Sequence, residues 1–552
     1  MAFYQVVASD VDGTLTSEGQ LSAAAMDAIN QVRLAGVQVV MVTGRIGSEL
    51  YADFPHIGQG ADALVLENGA VAVVGGQTET LATPVDRALD DELHRRGITF
   101  RRGEVLIATL SEHAAGVAEA VGVLGLDCQL IRNRQALMVL PAGVTKGTGL
   151  LSVLSHMNRS PHNVVAIGDA ENDLSMMAVA ELGVAVGNAV ASVKSHADTT
   201  TDEPDGEGLA RLLRGQILSG ARRWCPTRHW IDIGSFDDGT ATQLPGSQGR
   251  ILVTGPSGSG KSHVIGLMAE RWILAGYGVL VVDPEGDHTE LKQLDNVLHV
   301  DSGHYLPEPS ELLETLHPRT SLVVDLSSLE LAEKIDYVQR LRAVAEAHRE
   351  SHGFPHWVVY DEAHLLGSEL EPRWLRRGGY VLSSYAPALL PGDETDVSDV
   401  ILAMNAENRD RPVLPPVLRA TISSGDGELR PFTVSERRTV HIRHRHKYAD
   451  MALPRELRFY FSTAGPTVAP AATIREFNDA VRRLDPKSLR YHLERGDFSR
   501  WLAHTVADTE LADEMAAWED ELAAPRAAEV ERIRGLIVHA IEERYLDDQG
   551  QH

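Results

Sequence analysis

Residues 3–16, FYQVVASDVDGTLT, decide how the first part of the chain is read. An apolar run of strand composition stops on two carboxylates, Asp10 and Asp12, and Gly13 follows at once. The carboxyl ends of parallel strands open onto the crevice where α/β folds bind ligands, and glycine lets the backbone turn there at no steric cost. Two aspartates in such a place suit a nucleophile and a proton carrier. By themselves they also fit a solvated turn.

Three later segments extend the pattern. The run VQVVMV ends in Thr43-Gly44-Arg45, offering a hydroxyl and backbone N–H groups. Lys146 follows a short Gly/Val/Thr stretch and opens a helix, and VVAIGD ends in Gly168-Asp169 with Asn172 and Asp173 on the next turn. Taken in order, DVDGTLT, VTGR, TKG and GDAEND resemble the four motifs of the haloacid dehalogenase (HAD) phosphatase superfamily, Cof-like branch, over about residues 1–215. The resemblance implies a Rossmannoid parallel sheet and an aspartyl-phosphate mechanism. Asp10 would attack phosphorus and Asp12 would carry the proton. Thr43, Gly44, Lys146 and Asn172 would bind the phosphoryl group. Mg²⁺ would be held by Asp10, Asp12 through its carbonyl, and Asp169, with Asp173 at or just behind the metal. The acid at position 12 favours phosphomonoester hydrolysis over ion transport, because the superfamily's ion pumps lack it.

The same resemblance places a lid. Only 33 positions separate Asp10 from Thr43, too few for an inserted domain, whereas the longer interval to Lys146 leaves roughly residues 83–142 for a small α/β cap of the second class. Sugar-phosphate and phosphoglycolate phosphatases have this cap. Arg101, Arg102, Arg132 and Arg134 in it are candidates for reading a substrate anion, or are solvated surface arginines. Asn68, in ENGA, matches a Cof-like feature near the site.

A second α/β series begins at RILVTG. Gly255, Pro256, Ser257, Gly258, Ser259, Gly260, Lys261 and Ser262 form GxxxxGKS between an apolar strand and a helix, the context that a phosphate-binding P-loop requires. Backbone N–H groups would wrap the phosphates, Lys261 would reach the outer ones, and Ser262 would take Mg²⁺. HWVVYDEAH then ends a strand on Asp361, for the Mg²⁺ shell, and Glu362, to polarise the attacking water. With Asp283-Pro284-Glu285-Gly286-Asp287 and Ser383-Ser384 closing two more strands, the region resembles the HerA/FtsK-type ATPase branch over about residues 228–430. Members often form rings with an arginine finger from a neighbour, which makes a homo-oligomer possible and Arg373, Arg376 and Arg377 finger candidates. Surface arginines are the simpler reading of those three. The chain has seven lysines, and two of them, Lys146 and Lys261, stand where the two sites need one.

At 552 residues the chain holds three or four domains of ordinary size. The fold class expected is α/β: residues 1–215 a phosphatase, 216–436 a P-loop ATPase, and 437–552 a mainly helical unit. Lys and Arg number 51 against 78 Asp and Glu, a net charge of −27, and residues 437–552 carry only −2 of it. Such acidity makes nucleic acid an unlikely partner. Small phosphorylated metabolites and ATP, with Mg²⁺, fit better. No apolar run is long enough for a membrane span, the start does not read as a signal peptide, and two cysteines are too few for a disulfide framework, so a cytoplasmic protein is expected. In the last third, RRTVHIRHRHK (437–447) reads as a solvated linker in preference to a nucleic-acid patch. Phe459, Phe461, Phe477, Tyr491, Phe498 and Trp501 read as the helical core, with His492 and Arg495 weak functional candidates.

Overall fold

The computed structural model describes residues 3–133, 135–218, 220, 223–256, 259–363, 377–384, 398–404, 418–424, 428–439, 458–461, 469–503, 508–521 and 527–546. The statements that follow concern these.

The first sheet has eight strands, in the order Thr199–Thr200, Leu182–Ala185, Val164–Gly168, Val6–Asp10, Gln38–Val42, Ala63–Leu66, Val71–Val74 and Gln77–Thr80. Its first six run parallel and the last two form an antiparallel tail. Val6–Asp10 lies at the centre and is buried at every position. That is why it reads as an unbroken apolar run: helices cover both faces of such a sheet. Asp10 and Asp169 end or follow neighbouring central strands, so parallel pairing brings them to one edge. Lys146 opens the helix Lys146–His156, whose N-cap Thr145 accepts from the Thr148 amide while Thr148 bonds back.

The lid is a four-stranded antiparallel sheet, in the order Cys128–Asn133, Ala136–Pro141, Ile107–Leu110 and Arg101–Arg102, with helices Ala88–Arg95 and Ala114–Leu124. It has a hydrophobic core of its own, built on Leu89, Leu93, Ile107, Val117 and Leu137.

The second large sheet has eleven strands among the described residues. Seven are parallel, with the P-loop strand Arg250–Thr254 between Tyr380–Ser384 and Val400–Met404. The hairpin Ile231–Phe236/Ala241–Leu244, with Arg419–Ser424 and Leu429–Val434, extends it antiparallel. Helix Lys261–Leu274 packs on this sheet through Trp272, which stacks on Trp357 with centroids 3.8 Å apart. Such a pair contributes about 0.5–1.5 kcal/mol beyond its buried area and fixes where the P-loop points.

The last unit is helical, as its sequence suggests, around Phe477, Phe498, Leu511, Ile533 and Ile537. Three expectations change here. Tyr491 is 45% exposed, on the outer face of helix Pro486–Leu493, with Arg495 over its ring. His492 is core: buried, stacked on Phe498 and bonded to Asp497. Of the 437–447 stretch residues 437–439 are described: Arg438 is exposed, as a solvated linker would have it, but Thr439 is buried, and the Arg438 and Thr439 amides donate to the buried Glu270 carboxylate. Among the described residues no helix is long and apolar enough to cross a membrane.

Candidate active sites

In the first site one buried ammonium joins two carboxylates. Lys146 Nζ donates to Asp10 Oδ1 and to Asp173 Oδ1, each at 2.5 Å, and all three residues are buried. Asp169 completes the cluster: Asp10, Asp169 and Asp173 each offer an oxygen within 4.8 Å of the others. Burial, then the Asp173 charge, push the Asp10 carboxyl well above its usual range, against the pull of Lys146. Burial acts against the Lys146 charge, but Asp10 and Asp173 outweigh it and hold the ammonium above its ordinary value.

This donor set fits a hard dication, since three buried carboxylates lie together and one lysine, bonded to two of them, is their only paired cation among the described residues. Asp173 contributes indirectly. Its Oδ2 accepts from the Asp169 and Ala170 amides, and its Oδ1 is taken by Lys146. It therefore shapes the Asp169 loop and holds the lysine, leaving Asp10 and Asp169 as the carboxylates that could hold a metal.

Asp12 is gripped by Arg45, whose Nε and Nη2 meet its two oxygens at 2.7 Å each. The sequence reading had used Arg45 only to mark a strand end; proximity of VTGR to DVDGT was the available signal. Thr43 is buried, its hydroxyl accepting from the Arg45 amide and its carbonyl from the Asn68 amide. Asn172 donates to Asn68 Oδ1 at 3.0 Å, bringing the two expected asparagines together. A Cβ on Gly44 would stand 3.2 Å from Met138 Sδ, so the lid lies directly over the Thr43 turn.

Glu67 was missed. Its buried carboxylate accepts the amides of Glu104, Val105 and Leu106 at 2.7–2.9 Å, clasping the lid to the sheet. Gly69, at φ +107°, brings the chain so close to Thr145 that a Cβ would meet its carbonyl oxygen. Of the lid arginines, Arg101 pairs with Glu49, Arg102 is committed to Asp90 and the Val85 carbonyl, and Arg132 is exposed. Arg134 lies outside the described residues.

In the second site Gly255 and Gly260 adopt φ +145° and +100°, and Lys261 is buried at the start of its helix with Ser262 beside it. Ser257 and Gly258 lie outside the described residues. Lys261 Nζ rests 3.4 Å from the Pro256 carbonyl. Asp361 accepts from the Ser383 hydroxyl at 2.6 Å and meets His288 Nε2 at 3.0 Å. Asp283 accepts the amides of Gly286, Asp287 and His288, so its turn delivers His288 to Asp361. Glu362 has φ +51°, a strained backbone for a glutamate, and burial, then Asp361, raise its carboxyl above the usual range. Arg377 turns inward to the Arg349 carbonyl, a poor posture for reaching a neighbour; Arg373 and Arg376 lie outside the described residues.

Comparison with known proteins agrees with this geometry. The haloacid dehalogenase-like hydrolase family matches residues 7–95 and 130–213, and the central domain of helicase HerA matches residues 248–353. A phosphoglycolate phosphatase of Archaeoglobus fulgidus is 31% identical over 222 residues, which are 38% of this chain and 96% of that protein. A phosphoglycolate phosphatase of Methanothermobacter thermautotrophicus is 32% identical over 220 residues, 38% of this chain and 97% of that one. The solved structure of a haloacid dehalogenase-like hydrolase from B. subtilis aligns with 21% identity and a TM-score of 0.33, covering 38% of this chain and 99% of that chain.

Proposed function

Because the chain belongs, over about 38% of its length, to the haloacid dehalogenase-like hydrolase family, we propose that it is a Mg²⁺-dependent phosphatase of a small phosphorylated metabolite, of sugar-phosphate or phosphoglycolate type. In this reading the phosphatase is coupled to an ATP-binding and ATP-hydrolysing unit in residues 216–436. The observation that carries the reading is the buried Asp10–Lys146–Asp173 bridge beside Asp169.

Asp10 attacks phosphorus as the ester P–O bond breaks, and Asp12 gives its proton to the leaving alkoxide. Asp12 then takes a proton from water, whose oxygen attacks phosphorus and frees Asp10. Lys146, Thr43, Gly44 and Asn172 hold the phosphoryl oxygens while charge moves between them. Asp10, Asp169 and the Asp12 carbonyl would hold Mg²⁺, which when bound adds positive charge against those oxygens. Arg45 holds the Asp12 side chain in place at the site. The lid over Gly44 excludes water during transfer.

A panel of phosphorylated metabolites, assayed for phosphate release with and without ATP, tests the proposal. Asp10→Asn is expected to abolish release and Lys261→Ala largely to spare it. Release that depends on Lys261 and survives Asp10→Asn defeats the reading. The HerA-type match favours a second one: an oligomeric ATPase motor or switch acting on nucleic acid or a protein, with the phosphatase accessory. That reading requires ring assembly on sizing and ATP hydrolysis stimulated by its partner.

A further inference from the structure

Where the two large sheets abut, a cluster lies that neither site uses. Glu181, just ahead of strand Leu182–Ala185, is fully buried. Its Oε2 is met by His162 Nδ1 and the Tyr277 hydroxyl, each at 2.9 Å, and the Ser247 hydroxyl donates to Oε1. His229 Nε2 stands 3.9 Å from the same Oε2. One ligand atom each from His162, Glu181 and His229 lie within 4.8 Å of one another.

A carboxylate removed from water needs a compensating positive charge. Among the described residues, the ion-pair partners of Glu181 are these two imidazoles, with no lysine or arginine. Nearby Arg228 is taken by Asp198 and by the carbonyls of Met177, Ala178, Ala180 and Glu181. The charge must come from an imidazolium or from a bound cation.

We infer that His162, Glu181 and His229 form a binding site for a transition-metal dication of the zinc type, placed at the joint between the phosphatase and the ATPase. Two imidazoles and one carboxylate are the donors that Zn²⁺ prefers, whereas Mg²⁺ and Ca²⁺ take oxygens. Around a tetrahedral ion with bonds of about 2.0–2.1 Å, neighbouring donors stand about 3.3 Å apart. The observed 2.9 and 3.9 Å bracket that spacing. The surroundings are those of a supported site. His162 Nε2 lies 3.2 Å from the Ala275 carbonyl, an acceptor that leaves Nδ1 for the metal, and Tyr277 stacks on its ring at 3.7 Å. The Ser247 and Tyr277 hydroxyls orient the carboxylate. His229 Nε2 also lies 3.3 Å from the Ala180 carbonyl, a contact that a bound metal would replace, and the side chain's 15% exposure provides an entry path. On binding, the proton on His162 Nδ1 leaves to solvent and water completes the shell.

The test uses tag-free, full-length protein stripped with chelator and kept in excess Mg²⁺, which fills the aspartate site. Titration with Co²⁺ should develop the visible absorption of tetrahedral cobalt, saturating at one equivalent and abolished by one equivalent of Zn²⁺. His229→Gln, at the open edge of the cluster, should keep phosphate release and weaken Co²⁺ binding about a hundredfold or more. Asp169→Asn should lose phosphate release and keep the cobalt band. No saturable band in the wild type overturns the inference whatever the variants do. An undiminished band in His229→Gln, in either folded or unfolded form, or a band lost in Asp169→Asn alone, overturns it as well.

Discussion

Arg45 and Asp12 form a two-pronged ion pair in which neither partner is deeply buried, the side chains being 25% and 39% exposed. Removing it should therefore matter more for aim than for stability. Arg45→Met is expected to cut kcat about tenfold to a hundredfold through misplacement of Asp12, with little change in melting temperature. Steady-state kinetics beside thermal melts check this. Lys146 is the opposite case, since it is buried between two buried carboxylates. Lys146→Met leaves both uncompensated and should cost about 3–5 kcal/mol of stability by denaturant titration, besides activity. Glu362 supplies the pH dependence. On the proposed reading it is the base for ATP hydrolysis, a role open to it only when ionised, and burial beside Asp361 raises its pKa. ATP hydrolysis should consequently fall, as pH drops, at a milder acidity than the ordinary glutamate value of about 4.3. In Glu362→Gln that acid limb should vanish with most of the rate, which a pH profile of kcat measures.

At the scale of elements, the turn Glu67-Asn68-Gly69 does three tasks in three residues. Glu67 fastens the lid, Asn68 reaches Asn172, and Gly69 lets the turn touch Thr145 just ahead of Lys146. Gly69→Ala combines a forbidden contact with a strained φ and should destabilise the protein by more than about 1 kcal/mol. Glu67→Gln should speed hydrogen exchange at the Glu104, Val105 and Leu106 amides while leaving the central strand protected. The same turn shows what could be read in the sequence and what could not. Asp10, Asp12, Thr43, Lys146 and Asp169 stand in short runs because Asp10 ends a strand, Asp12, Thr43 and Asp169 lie one or two residues past one, and Lys146 opens a helix, and strand ends carry recognisable turn chemistry. Glu67 bonds amides 37–39 positions away, and backbone amides carry no side-chain signature. Glu181 likewise meets Ser247 66 positions on, and a lone glutamate before a strand looks like any other. Tyr491 misled in the other direction: an aromatic among aromatics reads as core, yet the helix turns it outward.

For the whole molecule, charge is the feature with reach. A net charge of −27 repels polyanions, so double-stranded DNA is expected to change the ATP hydrolysis rate less than twofold at physiological salt. Stimulation of several fold would favour the motor reading. Helix Lys261–Leu274 is a rod of about 21 Å with the P-loop at one end. At its other end the Ala275 carbonyl meets His162, two residues before the strand that leads to Asp169.

Arg228, in the segment that enters the second sheet, bonds four carbonyls and a carboxylate on the first. The match to the haloacid dehalogenase-like hydrolase family ends at residue 213, ahead of that segment. The connecting chain thus upholsters this face of the first domain. A cut made at residue 215 would thus leave a wound: bare carbonyls and a carboxylate stripped of its donors, on a fragment prone to stick to its own kind. The phosphatase part of this chain is best regarded as grafted, and its smallest separable form should extend through Trp230.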